Sequence, residues 1–502
     1  MLAVLILIPV LAGAAGFLLR SNGIRRGVLL LAAASHGGLT LSMWIRRPGP
    51  LFGGWLLLDA QGLLFLTVTS ILFLATSLYA VGYLRQEVWG ERQDFEEGFL
   101  FSNAREAVFT GCLLFFLAMM TLVTVSQHFG LLWVAVEATT LASAPLIYFH
   151  RHRRSLEATW KYILICSVGI ALALLGTFFL SVACSLGREG HTPMLLTNLI
   201  GEGRLVNLPW LKAAFLFLLV GYGTKMGLAP MHTWLPDAHS EAPSVISALL
   251  SGALLNCAFL AVLRMQQVCA AAGEGPFGRK MLLLFGFASM TVAALFIVRQ
   301  GDFKRMLAYS SVEHMGILSL AVGIGGGAGF GAMLHAVNHS LTKGMLFLVA
   351  GNILAAYKTK STTEVQGVLR VLPISGVLWV AGFLAIAGSP PFGLFLSELI
   401  ILKTAMDQGH IWMATGYLAL LSVVFIGLAT IMLRMAQGVP VLRPGGRASA
   451  PEELSTVENP HVESLLAVAP PLALGALVLI LGLYLPAGLQ NVLEEAARAI
   501  TG

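Results

Sequence analysis

KAAFLFLLVGYGTKMGLAPMHTWLPDAHSEAPSVISALLSGALLNCAFLAVLRM, from Lys212 to Met265, decides how this chain is read. Two apolar segments flank a short polar link, and the first is interrupted by Lys225 with Gly227 and Pro230 close behind. A lysine at the centre of a membrane span costs roughly 2.5–3.5 kcal/mol on insertion scales, so it faces protein or water and finds partners. A Gly/Pro break frees backbone groups that only protein or a hydrated cavity can satisfy at that depth. Lysine and break together mark a site built inside the membrane.

Composition agrees. Hydrophobic residues make up 57% of the 502 and charged residues 11%, against about 25% charged in a soluble domain. Continuous apolar runs recur along the whole length, which predicts membrane-spanning helices and excludes a barrel of alternating strands. The net charge of +6 lies in short basic clusters between spans, not in a nucleic-acid-binding face. Cys112, Cys166, Cys184, Cys257 and Cys269 are scattered without a CxxC, so no iron–sulfur, zinc or c-type haem site is expected in this chain. The apolar N-terminus lacks a positive leader and reads as a first span, not a signal peptide.

The sequence predicts an all-α polytopic membrane protein of about fourteen spans, with cores near 2–19, 27–45, 56–84, 106–126, 129–149, 160–186, 209–229, 243–265, 280–298, 305–325, 330–356, 372–402, 412–436 and 463–486. Nineteen of the 31 Lys and Arg residues then fall on one side, which makes that side cytoplasmic and puts both termini outside. The longest polar stretches are 187–208, outside, and 437–461, inside, the latter a link to the last span. Beyond it only the short tail PAGLQNVLEEAARAITG is expected. The twelfth span carries its own break, Gly388-Ser389-Pro390-Pro391-Phe392-Gly393. Broken spans seven and twelve run in opposite directions, which points to inverted five-helix repeats around a mid-membrane site. The expected division is 1–105 for spans one to three, 106–270 and 271–436 for the two repeats, and 437–502 for link, last helix and tail.

Ionisable residues inside the spans form a row. Glu137, mid-span in GLLWVAVEATTLASAPL, is the expected partner of Lys225. His335, His339 and Lys343 share one helix face at i, i+4, i+8. Imidazole can donate at one nitrogen while accepting at the other, which suits proton relay. A metal on the His335/His339 pair has no HExxH or carboxylate cluster behind it, and none is expected. Glu398, after the second break, reads as the terminal acceptor, with Lys403 about one turn beyond. His314, early in the tenth span, and His232, Asp237 and His239 in the link are candidates for proton uptake or coupling; the link residues equally suit capping of a turn. No nucleotide fold, P-loop or catalytic triad is recognisable.

The motifs KMGLAPMHTWLPDAHSEAPS, DFKRMLAYSSVEHMG and HAVNHSLTKGMLFLVAGNI resemble the antiporter-like proton-translocating subunits of respiratory complex I, multisubunit cation/proton antiporters and membrane-bound group 4 hydrogenases. EATTLASAPL, WKYILICSVGIALALLGT, SALLSGALLN and GSPPFGLFLSE look most like the hydrogenase-4 component F branch. The resemblance implies fourteen helices with inverted repeats, a Glu137–Lys225 pair, a central helix bearing His335, His339 and Lys343, and Glu398 on the second broken helix. It implies a bacterial or archaeal cell membrane, neighbouring membrane subunits and a peripheral redox arm. Iron–sulfur clusters and any nickel–iron or flavin group would sit in those partners, and this chain would belong to an oxidoreductase complex without a redox centre of its own. The alternatives are a gradient-driven antiporter subunit and a non-transporting membrane anchor. Two departures stand out: Asn256 occupies a position where some relatives carry lysine, and the long lateral helix of the largest relatives is missing.

Overall fold

The computed structural model describes residues 1–87, 90–93, 98–186, 193–439 and 463–501. The chain is helical almost throughout, beginning with α1 (Leu2–Leu18), α2 (Asn22–Ile45), α3 (Ala60–Gln86), α4 (Glu106–Val125), α5 (Phe129–Ile147), α6 (Arg153–Ser185), α7 (Leu196–Gly201), α8 (Leu208–Met226), α9 (Trp234–Glu241) and α10 (Ser244–Leu249). It continues through α11 (Leu255–Ala271), α12 (Gly275–Ile297), α13 (Phe303–Ile324), α14 (Ala328–Tyr357), α15 (Val368–Val371), α16 (Pro373–Ile386), α17 (Gly393–Asp407), α18 (Ile411–Ala436), α19 (Leu465–Leu483) and α20 (Ala487–Thr501). A hairpin pairs β1 (Glu91–Gln93) with β2 (Leu100–Ser102).

Among the described residues, twelve helices are long and apolar enough to cross a membrane. The expected first span is a 17-residue helix. The expected twelfth is two shorter pieces, α16 and α17, of 14 and 15 residues. Most of the expected 437–461 link lies outside the described residues. The tail is more than a tail: α20 is a 15-residue helix that buries Val492, Leu493, Ala496 and Ile500. Gln61 Nε2 donates to its Ala496 carbonyl at 3.0 Å, and Arg47 grips Glu495 at 2.6 and 2.7 Å. That hydrogen bond and the guanidinium charge hold the Glu495 carboxyl below its usual range. The heptad-like spacing Val492, Leu493, Ala496, Ala497, Ile500 was available in the sequence.

Burial grades from rim to centre. The most apolar stretches of α10–α11 and α13 are 100% buried, whereas those of α2, α18 and α19 are 33% buried and face outward. Apolar outward faces suit lipid, and the polar residues gather on the enclosed helices. Helices cross closely where small residues permit: Gly169 and Gly176 of α6 lie against Thr224 and Leu218 of α8, and Gly286 of α12 lies against Leu320 of α13.

Both predicted breaks are present. After α8 the chain turns at Gly227, whose φ of +83° favours glycine. A short turn at Met231–Thr233 follows before α9. The freed groups are satisfied by protein: Leu228 N–H donates to the Gly223 carbonyl at 2.8 Å, Ala229 N–H to Ser289 Oγ at 2.9 Å, and Trp234 Nε1 to the Thr224 carbonyl at 2.8 Å. Between α16 and α17, Gly388 takes φ +61° and Ser389 N–H donates to the Leu384 carbonyl at 2.9 Å. Both breaks contain a cis peptide bond before proline, Ala229–Pro230 and Pro390–Pro391.

Candidate functional site

Lys225 ends α8 and is fully buried. Its Nζ donates to Thr140 Oγ1 at 2.8 Å and to Tyr162 Oη at 2.6 Å. The ammonium also stands 4.5 Å from the centre of the Tyr162 ring and 5.9 Å from that of Trp234. Tyr162 in turn meets Ser143 at 2.6 Å, and Ser143 donates to the Thr139 carbonyl at 2.7 Å, so the phenol proton points to Ser143. Glu137 is half-buried and accepts from Thr140 and Ser167, both at 3.3 Å. The expected Glu137–Lys225 pair is therefore indirect. The Thr140 hydroxyl lies between, accepting from Lys225 and donating to Glu137. Thr140→Val should weaken this coupling by leaving a buried donor short of a partner, a cost on the order of 1–3 kcal/mol. We expect several-fold slower proton translocation in reconstituted vesicles, restored by Thr140→Ser; a valine variant as fast as the parent would refute the bridge.

The link residues separate into two groups. Asp237 meets Arg305 at 2.7 Å and Lys161 at 2.9 Å near the surface. His239 is fully buried, stacked 4.9 Å from Phe347, with neither ring nitrogen hydrogen-bonded. His232, 7% exposed, faces Tyr309 with ring centres 6.1 Å apart. Lys304 closes the C-terminal end of α9: its buried Nζ donates to the carbonyls of Ser240 at 3.0 Å and Ala242 at 2.5 Å.

A second cluster fills the space between α11, α13, α14 and α17. Lys343 Nζ donates to the Leu307 carbonyl at 2.6 Å. Ser311 donates to the same carbonyl at 3.1 Å and meets Ser251 at 2.8 Å. Ser251 lies in a π-helical turn, Leu250–Leu254, which joins α10 to α11 and is a device common at functional sites. Asn256 donates to Ser340 Oγ at 2.7 Å and to the Gly252 carbonyl at 3.0 Å, while its buried Oδ1 has no partner. It ties α11 to α14 at Ser340, next to His339 in the chain, in the place where charge was in question.

His314 and His335 meet at 2.9 Å, Nδ1 to Nε2. His335 Nδ1 lies 3.0 Å from Ser397 Oγ, which donates to the Leu394 carbonyl at 2.8 Å. Ser397 must then accept from His335 Nδ1–H, and His314 Nδ1–H donates to the bare His335 Nε2. His339 stands 4.9 Å from His314, ring centre to ring centre, with both nitrogens unbonded and buried. A Glu398 oxygen lies within 4.8 Å of His314 and His335 donor nitrogens. Glu398 thus sits at the His335 end of the His335–His339–Lys343 row, with Lys343 at the row's other end in the middle of α14, and His314 lies in the middle of its own helix rather than near its start. Lys403 is exposed and pairs with Asp407 at 2.5 Å, apart from the cluster. Among the described residues no hydrogen bond joins the Lys225 group to the Lys343 group.

Sequence reading passed over Thr140, Tyr162, Ser397, Lys304 and Glu313. Glu313 is 3% exposed, and its Oε2 has no hydrogen bond. It was visible beside His314 in SSVEHMGIL, whereas the hydroxyl partners could be found only from packing.

The family described as NADH:quinone oxidoreductase/Mrp antiporter, transmembrane region, matches residues 126–425, a range that holds every residue of both clusters. The chain is 36% identical to a hydrogenase-4 component F homolog of Methylacidiphilum infernorum over 82% of its own length and 87% of that protein. It is 27% identical to NADH-quinone oxidoreductase subunit N of Desulforudis audaxviator, covering 98% and 97% of the two chains. A chain of an archaeal membrane-bound sulfane sulfur reductase superposes with a TM-score of 0.85 at 19% identity, covering 100% of this chain and 97% of that one. A chain of the Mrp complex from Dietzia sp. DQ12-45-1b gives 0.81 at 19% identity, covering 99% and 97%. By family match and by identity over most of its length, this multi-pass integral membrane protein belongs to the complex I/Mrp antiporter-like membrane subunit family.

Proposed function

We propose that the chain is the proton-translocating membrane subunit of a redox-driven complex of the hydrogenase-4 or complex I kind. The observation that carries the reading is the enclosure of two polar clusters, Glu137–Thr140–Lys225–Tyr162 and Lys343–His339–His314–His335–Glu398, among helices that otherwise bury apolar side chains. Buried ionisable groups are costly and mark ion pathways. A signal from a neighbouring subunit changes the balance between Glu137 and Lys225 through Thr140. Lys225 then exchanges a proton with water leading to Lys343, and the proton leaves by His335 and Glu398. Asn256 takes part as an uncharged hydrogen-bonding post. Counting α1 and the α16–α17 pair as crossings gives fourteen spans, with inverted repeats at 106–270 and 271–436 and the basic loops in the cytoplasm.

The redox-driven assignment rests on the component F homolog and the quinone oxidoreductase subunit, both matched over nearly their whole length. A gradient-driven antiporter is the second reading, favoured by 29% identity to a Na(+)/H(+) antiporter subunit A1 of Staphylococcus epidermidis, of which the chain spans 51%. Purification of the tagged chain from its native membrane in mild detergent, with mass spectrometry of the co-purifying subunits, separates them. We expect proteins that bear iron–sulfur clusters and a nickel–iron or flavin group. Small membrane proteins alone would overturn the redox-driven reading in favour of ion exchange.

A further inference from the structure

Three side chains from three helices converge at the far end of the second cluster. His314 comes from α13, His335 from α14 and Glu398 from α17, and each offers a donor atom within 4.8 Å of the others. We propose that His314, His335 and Glu398 form a binding site for a divalent transition-metal ion of the zinc class, and that an ion held there stops proton passage. The binding stands on its own geometry; the block rests on the proton-translocation reading above.

Zinc bound to imidazole and carboxylate sits about 2.0–2.2 Å from each donor, which places tetrahedral donors roughly 3.3 Å apart. The two nitrogens stand 2.9 Å apart, so a small outward movement of the rings makes room. The surroundings already orient the donors. Ser397 accepts from His335 Nδ1–H and so aims the His335 Nε2 lone pair into the gap, the outer hydrogen bond by which metal-binding histidines are fixed. Glu398 is held against the backbone of Gly388, where a Cβ atom would come within 2.0 Å of its Oε2. His314 Nε2 is buried without a partner. When the ion displaces the proton shared by the two rings, that proton moves from Nδ1 to Nε2 of His314 and the imidazole stays neutral. Any carboxyl proton on Glu398 leaves to solvent as the ion binds.

Charge favours the ion as well. Glu398 and Glu313 are both buried, and neither forms an ion pair among the described residues. A dication bound by the Glu398 carboxylate leaves one net positive charge instead of two, which lessens the cost of burying it. Two imidazoles and one carboxylate select zinc or cobalt over magnesium or calcium, which prefer oxygen shells. The i, i+4 pair His335/His339 is a poorer choice, because its rings lie parallel with centres 6.5 Å apart. Burial of both imidazoles predicts slow onset, governed by opening of the helices.

The test uses the intact complex purified in detergent, stripped with a chelator and titrated with cobalt(II) or zinc chloride, with magnesium as control. We expect tetrahedral cobalt bands in the visible spectrum, and a zinc X-ray absorption edge fitted by two imidazole nitrogens and one carboxylate oxygen. His314→Gln and Glu398→Gln should each weaken binding at least about ten-fold. Circular dichroism and subunit content confirm that each variant is folded, and either variant alone suffices if the other fails. Retention of the parent spectrum and affinity in both would overturn the site. Zinc bound through these residues without slowing proton translocation would leave the site standing and overturn the reading of this cluster as a proton path. Equal inhibition of parent and still-active variants would place the block elsewhere.

Discussion

Lys225→Met is expected to bring proton translocation down to the level of protein-free vesicles while the chain remains folded and assembled. The two halves of this outcome have separate causes. Lys225 is fully buried, and in the proposed mechanism its charge is what answers Glu137 through Thr140. Methionine fills similar space with flexible apolar atoms and has no proton to exchange. It leaves few orphans: Tyr162 keeps Ser143, and Thr140 keeps Glu137. Removing a buried cation also relieves its cost of roughly 2.5–3.5 kcal/mol, so the fold should lose little. Fluorescence quenching of a pH-sensitive dye in proteoliposomes reads the first half, and thermal unfolding with subunit content reads the second. Undiminished translocation by a folded Lys225→Met protein would sink the proposed pathway. Loss of the protein from the complex would instead assign Lys225 to assembly.

The membrane class and both helix breaks were legible in the sequence because each is a local property. An apolar run long enough to span needs no knowledge of its neighbours, and Gly227 with Pro230, or Gly388 with Pro390 and Pro391, interrupts a helix whatever packs against it. The face of α14 bearing His335, His339 and Lys343 was legible for the same reason, since helical spacing alone puts them together. Position along the pathway was not. The sequence did not show which of the three α14 residues Glu398 would meet: α17 packs beside the N-terminal half of α14 and brings Glu398 to His335 and His314. The helix contact that decides this joins residues 62 apart, as in the His335–Ser397 bond.

The hydroxyl groups were hidden for a different reason. Threonine, serine and tyrosine are ordinary in membrane helices, where many simply donate back to their own backbone, as Thr76 and Thr177 do here. Nothing in the sequence distinguishes Thr140 from these until α5, α6 and α8 are packed. The C-terminal helix was missed because attention to long apolar runs discounts a 15-residue amphipathic segment, although its buried face was spelled out by period.

Gly388→Ala should reduce proton translocation by at least about ten-fold, because displacing a reacting group by an ångström commonly costs up to about a hundred-fold in rate. Two effects combine. The residue sits at φ +61°, where a side chain costs about 1–2 kcal/mol. The added Cβ would also lie 2.0 Å from Glu398 Oε2 and 2.8 Å from its carboxyl carbon. The carboxylate must then swing away from His314 and His335 or the turn must open, and each breaks the alignment. Gly227→Ala provides the comparison, since that glycine also has a left-handed φ, +83°. Its Cβ would meet Leu235 Cδ1 at 2.5 Å, with the next atom at 3.9 Å. That atom is the end of a flexible apolar side chain, which can turn aside without moving an ionisable group. The Gly227 variant should therefore lose stability but keep most of its translocation, whereas the Gly388 variant should resemble Glu398→Gln. Parallel dye-quench and thermal-unfolding measurements on the three variants decide the matter. Equal losses in the two alanine variants would show that the breaks matter only for stability, and parent-like translocation by Gly388→Ala would remove Glu398 from the pathway.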